Sequence, residues 1–399
     1  MMQLMELSFL RRITSSGKYI SVVDGLRFLA IAMVIIYHLD GFIFRELNHS
    51  YIDSKTAYSW WHALCLRGYF GVELFFVISG FILALPFTEY YLNQGSKISI
   101  RNYFVRRLTR LEPPYIISLI IIFWVYVFVI QTKSYDDLAP SFLSSLFYAH
   151  TLIYDRSILP LVSTVTWSLE IEVQFYILAP LLFYLYYKKI NDRRINLIFL
   201  TLFISNCSKI LKPDFYSLYE YFHFFLLGIL LADYYISKER IKIIDRWIQM
   251  SGSFLVGFIS FVMIILTDIT YIESKVGILK MGLSTVQLMF LFIFFYNVLF
   301  RAGPVRFYSN AIVTSIGGMC YSIYLFHNEI INGIGFYLIK HPFSSYFIMD
   351  YGLISIILSV SILILSTIFY ILVERPCMNK NWPMQFWIKL SAPFVKLRR

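Results

Sequence analysis

Residues 22–38 read V-V-D-G-L-R-F-L-A-I-A-M-V-I-I-Y-H, an apolar run of membrane-helix character that nevertheless carries Arg27 and ends on His38. A charged side chain at membrane depth costs roughly 2.5–3.5 kcal/mol at a span centre, so such residues are kept mainly for function. The two lie eleven positions apart, about three helical turns, so they share one face with about 16 Å of axial rise between them. A polar stripe running that far through a bilayer points to chemistry handled across the membrane.

The rest of the chain repeats the pattern. Its 399 residues are 58% hydrophobic and 15% charged, which excludes an ordinary soluble domain and indicates an all-α polytopic membrane protein. Apolar runs predict a bundle of about ten transmembrane helices, near 20–39, 67–87, 114–131, 166–187, 195–206, 220–236, 249–267, 277–300, 310–330 and 348–373. The run at 195–206 is short. The formal net charge of +11 comes from basic residues grouped in loops: Arg11 and Arg12, the 97–110 loop, Lys188, Lys189, Arg193 and Arg194, the 238–246 loop, and Lys396, Arg398 and Arg399. That grouping is a positive-inside bias rather than a nucleic-acid surface, and it predicts both termini in the cytoplasm. The four cysteines, Cys65, Cys207, Cys320 and Cys377, make no C-x-x-C pair and give neither a metal site nor a disulfide. The first run lacks a small-residue cleavage site and reads as a retained span. The expected organisation is a cytoplasmic tail over 1–19, a membrane domain over 20–376 and a basic cytoplasmic tail over 377–399.

This topology sorts the polar residues by depth. Arg27 falls in the inner half of the first span and His38 at its outer end. Glu73 in R-G-Y-F-G-V-E-L-F-F-V-I-S-G-F lies about two turns in from the outside. Glu170 and Glu172 in T-W-S-L-E-I-E-V-Q-F-Y fall at a comparable depth, and His327 in Y-S-I-Y-L-F-H near an outer end. Two imidazoles and the carboxylates are therefore expected to converge on the outer leaflet. There an imidazole can take the proton of an attacking hydroxyl while a carboxylate orients it. Cross-bracing of the bundle is the plainer reading of the same groups. His150 and His223 are secondary candidates to meet an acceptor.

At the inner face Arg106, Arg107 and Arg110 gather with Arg27 and Glu374. Guanidinium forks suit a phosphate-bearing ligand, and head-group anchoring to membrane lipids accounts for them too. Pro113 and Pro114 are expected to set how the chain re-enters the membrane. Glu374 reads equally as a partner of Arg375 or another inner arginine, and Ser79 in I-S-G-F as a helix-packing residue. Trp167 and Tyr176 flank the fourth-span carboxylates and suit either stacking on a sugar or interface anchoring.

Taken in order, these motifs resemble the acyltransferase-3 family of integral membrane O-acyltransferases. The resemblance rests on D-G-L-R-F-L-A-I-A-M-V-I-I-Y-H, G-V-E-L-F-F-V-I-S-G-F, R-R-L-T-R-L-E-P-P-Y, W-S-L-E-I-E-V-Q-F-Y, C-Y-S-I-Y-L-F-H and V-E-R-P, and covers about 20–376. It implies transfer of an acyl group, expected to be acetyl, from cytoplasmic acyl-CoA to a carbohydrate hydroxyl. The implied acceptor is a cell-surface polysaccharide or lipopolysaccharide precursor, lipid-linked or free. The implied setting is the bacterial cytoplasmic membrane, with acyl-CoA as co-substrate and no resident cofactor. Residue by residue, the resemblance points to Arg27 and His38 as the essential pair and Glu73 as the second-span acid. Arg107 and Arg110 match its inner arginine pair, and Glu172, His327 and Glu374 match other characteristic positions. Glu170 stands where the family usually has a small residue, and Ala179 where Trp is frequent. The stand-alone form, without a fused extracytoplasmic hydrolase-like domain, is expected. Two rivals remain: a transporter or flippase of a lipid-linked sugar or small acid, using the same groups as a proton relay, and an acyltransferase acting on a small secreted metabolite.

Overall fold

A computed structural model describes residues 12, 19–47, 51–53, 55–211, 213–273, 277–300, 306–379 and 382. Most of both expected tails, with Arg11, Lys396, Arg398 and Arg399, lies outside the described residues. Hydrocarbon offers no water to backbone N–H and C=O groups, so a spanning segment must satisfy them within itself, which an isolated strand cannot do. Among the described residues the regular structure is accordingly all helical. The main helices are α1 (Ser21–Glu46), α2 (Phe70–Asn93), α3 (Ile100–Trp124), α4 (Tyr135–Leu146), α5 (Trp167–Lys188), α6 (Arg193–Ile210), α7 (Leu218–Ser237), α8 (Lys242–Ser251), α9 (Ser253–Glu273), α10 (Gly277–Phe300), α11 (Ala311–Gly318), α12 (Cys320–Ile339) and α13 (Phe347–Phe369).

Helices occupy every apolar run marked in the sequence. Among the described residues six helical stretches are long and apolar enough to cross a membrane: Ser21–Glu46, Lys55–Asn93, Ile100–Val129, Thr164–Lys188, Gly277–Phe300 and Phe347–Cys377. A seventh qualifies if the bent pair α8–α9 is one span.

Two runs are not single straight helices. The run at 249–267 starts in α8 and turns by 108° into α9, at Gly252, whose φ of +81° is one that side-chain-bearing residues rarely adopt. The run at 310–330 is interrupted at Met319, between α11 and α12. Conversely, Pro113 and Pro114 do not mark a re-entry point, because α3 continues through both. Pro113 removes the N–H that would bond the Thr109 carbonyl. That carbonyl accepts instead from the Trp382 indole, at 2.7 Å.

The crossing of α2 with α7 is close enough to need glycine on both helices. A Cβ on Gly80 would sit 2.2 Å from the Phe225 carbonyl oxygen, and one on Gly228 would sit 2.2 Å from that of Val77. Small residues allow such backbone approach, which drives helix association in lipid, where the hydrophobic effect is absent. Phe225, stacked on Phe175 at 4.1 Å, then ties α7 to α5. Gly80→Ala and Gly228→Ala should each lower the thermal midpoint of the purified protein, with an overpacking cost of about 1–3 kcal/mol. Gly333→Ala, where a Cβ meets nothing within 4 Å, should leave the midpoint unchanged or slightly raised.

Candidate active site

Two polar layers lie along α1, at opposite ends of the bundle. At one end, His38 of α1 meets His327 of α12 with ring centroids 5.0 Å apart and planes at 62°. His327 is fully buried. Its Nδ1 lies 2.8 Å from the Tyr324 carbonyl oxygen and 3.2 Å from that of Ile323. Carbonyls only accept, so Nδ1 carries the proton and Nε2 keeps its lone pair. That Nε2 is buried with no hydrogen-bond partner among the described residues. The Tyr324 hydroxyl, 2.6 Å from Ser168 Oγ, donates to the Val165 carbonyl at 2.8 Å and holds the start of α5 against α12. His38 packs edge-on against Tyr37, at 4.9 Å.

At the other end, Arg27 donates to Asp24 at 2.5 Å across one helical turn, a spacing that puts both on one face. Arg12 approaches the same Asp24 oxygen at 3.9 Å and lies within electrostatic reach of Glu172 and Glu374. Ser79 of α2 donates to Glu172 of α5. Glu374 accepts from the Ser322 amide at 3.0 Å and its hydroxyl at 2.5 Å. The Arg107 guanidinium lies 3.8 Å above the Tyr103 ring and 5.3 Å from that of Tyr176, an arrangement that suits the planar cation. Arg106 is exposed and Arg110 half-buried. Beyond α7, Arg194 donates to Glu239 and holds that carboxyl below its usual range.

A family model described as an acyltransferase domain matches residues 20–373. The chain belongs to the acyltransferase-3 family. The O-acetyltransferase OatA of Staphylococcus aureus (strain MRSA252) is 25% identical over 402 residues, covering 96% of this chain and 61% of that protein. The peptidoglycan O-acetyltransferase OatA of Listeria monocytogenes is 28% identical over 191 residues, 46% of this chain and 27% of its own. A Staphylococcus aureus (strain COL) protein provisionally named an O-acetyltransferase is 26% identical over 356 residues. This chain spans about half that relative's length, 54%. No solved structure matches the chain. With its several apolar helices, this acyltransferase-3 protein is an integral membrane protein.

The family member's carboxylates do not converge on the histidines as the sequence suggests. Glu170 and Glu172 are two positions apart, about 200° around a helix, and so face opposite ways. Glu170 turns outward from the site and accepts from the Thr151 amide at 2.7 Å. Glu172 joins Ser79 and the arginine layer, which gives Ser79 a polar partner as well as a packing role. Glu73 makes no hydrogen bond to His38; it lines a cavity between α2, α7 and α9. Trp167 packs on Tyr216 and Tyr221, at 5.0 and 5.4 Å, and Tyr176 on Arg107. Glu374 takes Ser322 rather than Arg375 as its hydrogen-bond partner. His150 stacks on Tyr154 and His223 lies against Phe224, neither beside His38.

Asp24, Arg12 and Tyr103 complete the arginine layer without having been singled out as site residues. Only Asp24 left a usable signal, its spacing of three from Arg27. Removing one member of a buried ion pair strands the other, at a cost of about 3–5 kcal/mol. Asp24→Ala should therefore lower the thermal midpoint sharply. The double variant Asp24→Ala/Arg27→Ala should recover part of the loss, read by thermal unfolding of the purified protein.

Proposed function

We propose that this protein is an O-acyltransferase that moves an acetyl group from acyl-CoA, bound at the arginine layer, to a carbohydrate hydroxyl at the histidine layer. The observation that carries this reading is the His38–His327 pair, with the His327 proton held on Nδ1 and its Nε2 lone pair free. The CoA phosphates rest near Arg106, Arg107 and Arg110, and Arg27 guides the pantetheine arm into the bundle. An imidazole of the pair, His38 being the more accessible, takes the proton of the acceptor hydroxyl. The hydroxyl oxygen then bonds to the acyl carbon, the carbon–sulfur bond breaks, and the proton passes to the departing CoA sulfur. In this reading about ten spans with both termini cytoplasmic bring donor and acceptor from opposite faces of a bacterial cytoplasmic membrane. The name of the Listeria relative favours a cell-surface glycan as acceptor. Family membership weighs against transport.

General acid–base catalysis is typically worth ~100- to 10,000-fold. His38→Ala and His327→Ala should each reduce acetyl ester formation on a host surface glycan by that order, at equal protein level in the membrane, measured by NMR of the isolated glycan. Wild-type ester content with His38→Ala would reject the mechanism. In a purified assay, Arg107→Ala should raise the KM for acetyl-CoA with a smaller change in kcat, and an unaltered donor KM would remove Arg107 from the donor site.

A further inference from the structure

A cavity of about 250 Å³ opens at the histidine end of the bundle, separate from the His38–His327 contact. Glu73 lies in the first turn of α2, Glu220 and Tyr221 in the first turn of α7, Lys209 in the last turn of α6 and Asp268 in the later half of α9. Alternate helix ends thus bring polar residues to one level, where the loop residue Arg156 joins them. Glu220 receives Arg156 through two bonds, at 3.0 and 3.1 Å. Asp268 takes the Tyr69 hydroxyl at 2.6 Å and has Arg67 at 3.7 Å.

We propose that this cavity holds the acceptor as a neutral sugar, with Glu73 positioning it through its hydroxyls; this rests on the carbohydrate O-acetylation reading above. Three observations support that class of ligand. The lining sets the carboxyl groups of Glu73, Glu220 and Asp268 against Arg156 and Lys209, and Arg67, beside the lining, pairs with Asp268, which favours a neutral polyol over an ionised ligand. Second, Asp268 Oδ2 is buried with no hydrogen-bond partner among the described residues, only the Arg67 ion pair at 3.7 Å, which leaves acceptor capacity for a polar occupant. Third, Tyr221 leads into an aromatic wall with Trp167 and Tyr216, surfaces suited to the apolar face of a sugar ring. The volume suits about one ring, below the roughly 300–1,000 Å³ of a drug-sized pocket. The cavity also connects to the chemistry. Its Tyr69 ring lies 6.3 Å from Tyr37, which packs on His38.

The test uses the full chain in nanodiscs with a β-linked N-acetylglucosamine tetramer as the neutral probe. Calorimetry without acetyl-CoA reads binding, and mass spectrometry with acetyl-CoA reads transfer. Glu73→Gln keeps the shape of the side chain but replaces a carboxyl oxygen with an amide nitrogen. Gln287→Ala alters another part of the lining, so the idea remains testable if one variant folds poorly. Each should raise the probe's KM and dissociation constant about tenfold, the loss expected when one buried hydrogen-bond partner is removed, with the KM for acetyl-CoA unchanged. Transfer by wild type with unchanged probe KM in both variants would overturn the subsite and leave the function standing. Saturable binding weakened by the variants, with no transfer by wild type, would overturn the function and keep the subsite. Neither binding nor transfer by wild type would overturn both.

Discussion

Charge inside an apolar bundle has no water to fall back on, so each buried ionised group must find its compensation in another helix or in its own previous turn. Asp24 meets Arg27 and Arg12. Asp233, fully buried on α7, receives Arg193 and Arg194 from the start of α6. Asp40 takes His62 and Tyr351, and Asp350 takes the Tyr51 hydroxyl and the Phe343 amide. These contacts fasten helix ends whose apolar faces alone would slide in lipid. They also explain why basic loop residues that read as simple inner anchors, such as Arg193 and Arg194, have defined partners.

The separation of the two polar layers follows from the same constraint. A histidine that stays neutral is a tolerable resident of the apolar interior, and two backbone carbonyls of its own helix fix the tautomer of His327. Guanidinium groups are not tolerable there unless paired or stacked, and Arg27 and Arg107 satisfy that demand with Asp24 and the Tyr103 ring. Base and cation therefore occupy opposite ends of the stripe along α1. A reaction that binds an anionic donor at one face and deprotonates an acceptor at the other matches that division.

Close backbone packing provides the framework. The glycine crossing of α2 with α7 lets α2 present Glu73 to the cavity at its start and Ser79 to Glu172 about 13 Å along its axis from Phe70. The interruption at Met319 separates α11, whose Gly317 lies against the Asp24 carbonyl, from α12, which carries His327. One interrupted apolar run thereby touches both layers.

The sequence alone determined the helical class, the places of the apolar runs, the polar stripe from Arg27 to His38 and the family, because hydropathy and motif order are local properties of a chain in lipid. It also selected His327 and Arg107, which the fold places at opposite layers. What it could not determine was which carboxylate meets which partner. Depth along a span can be counted from residue spacing, but the direction a residue faces depends on helix rotation about its own axis, and that is fixed by neighbours. Glu170, Glu172 and Glu73 share an inferred depth and were separated only by packing. The break at Met319 and the bend at Gly252 are likewise features that hydropathy does not mark.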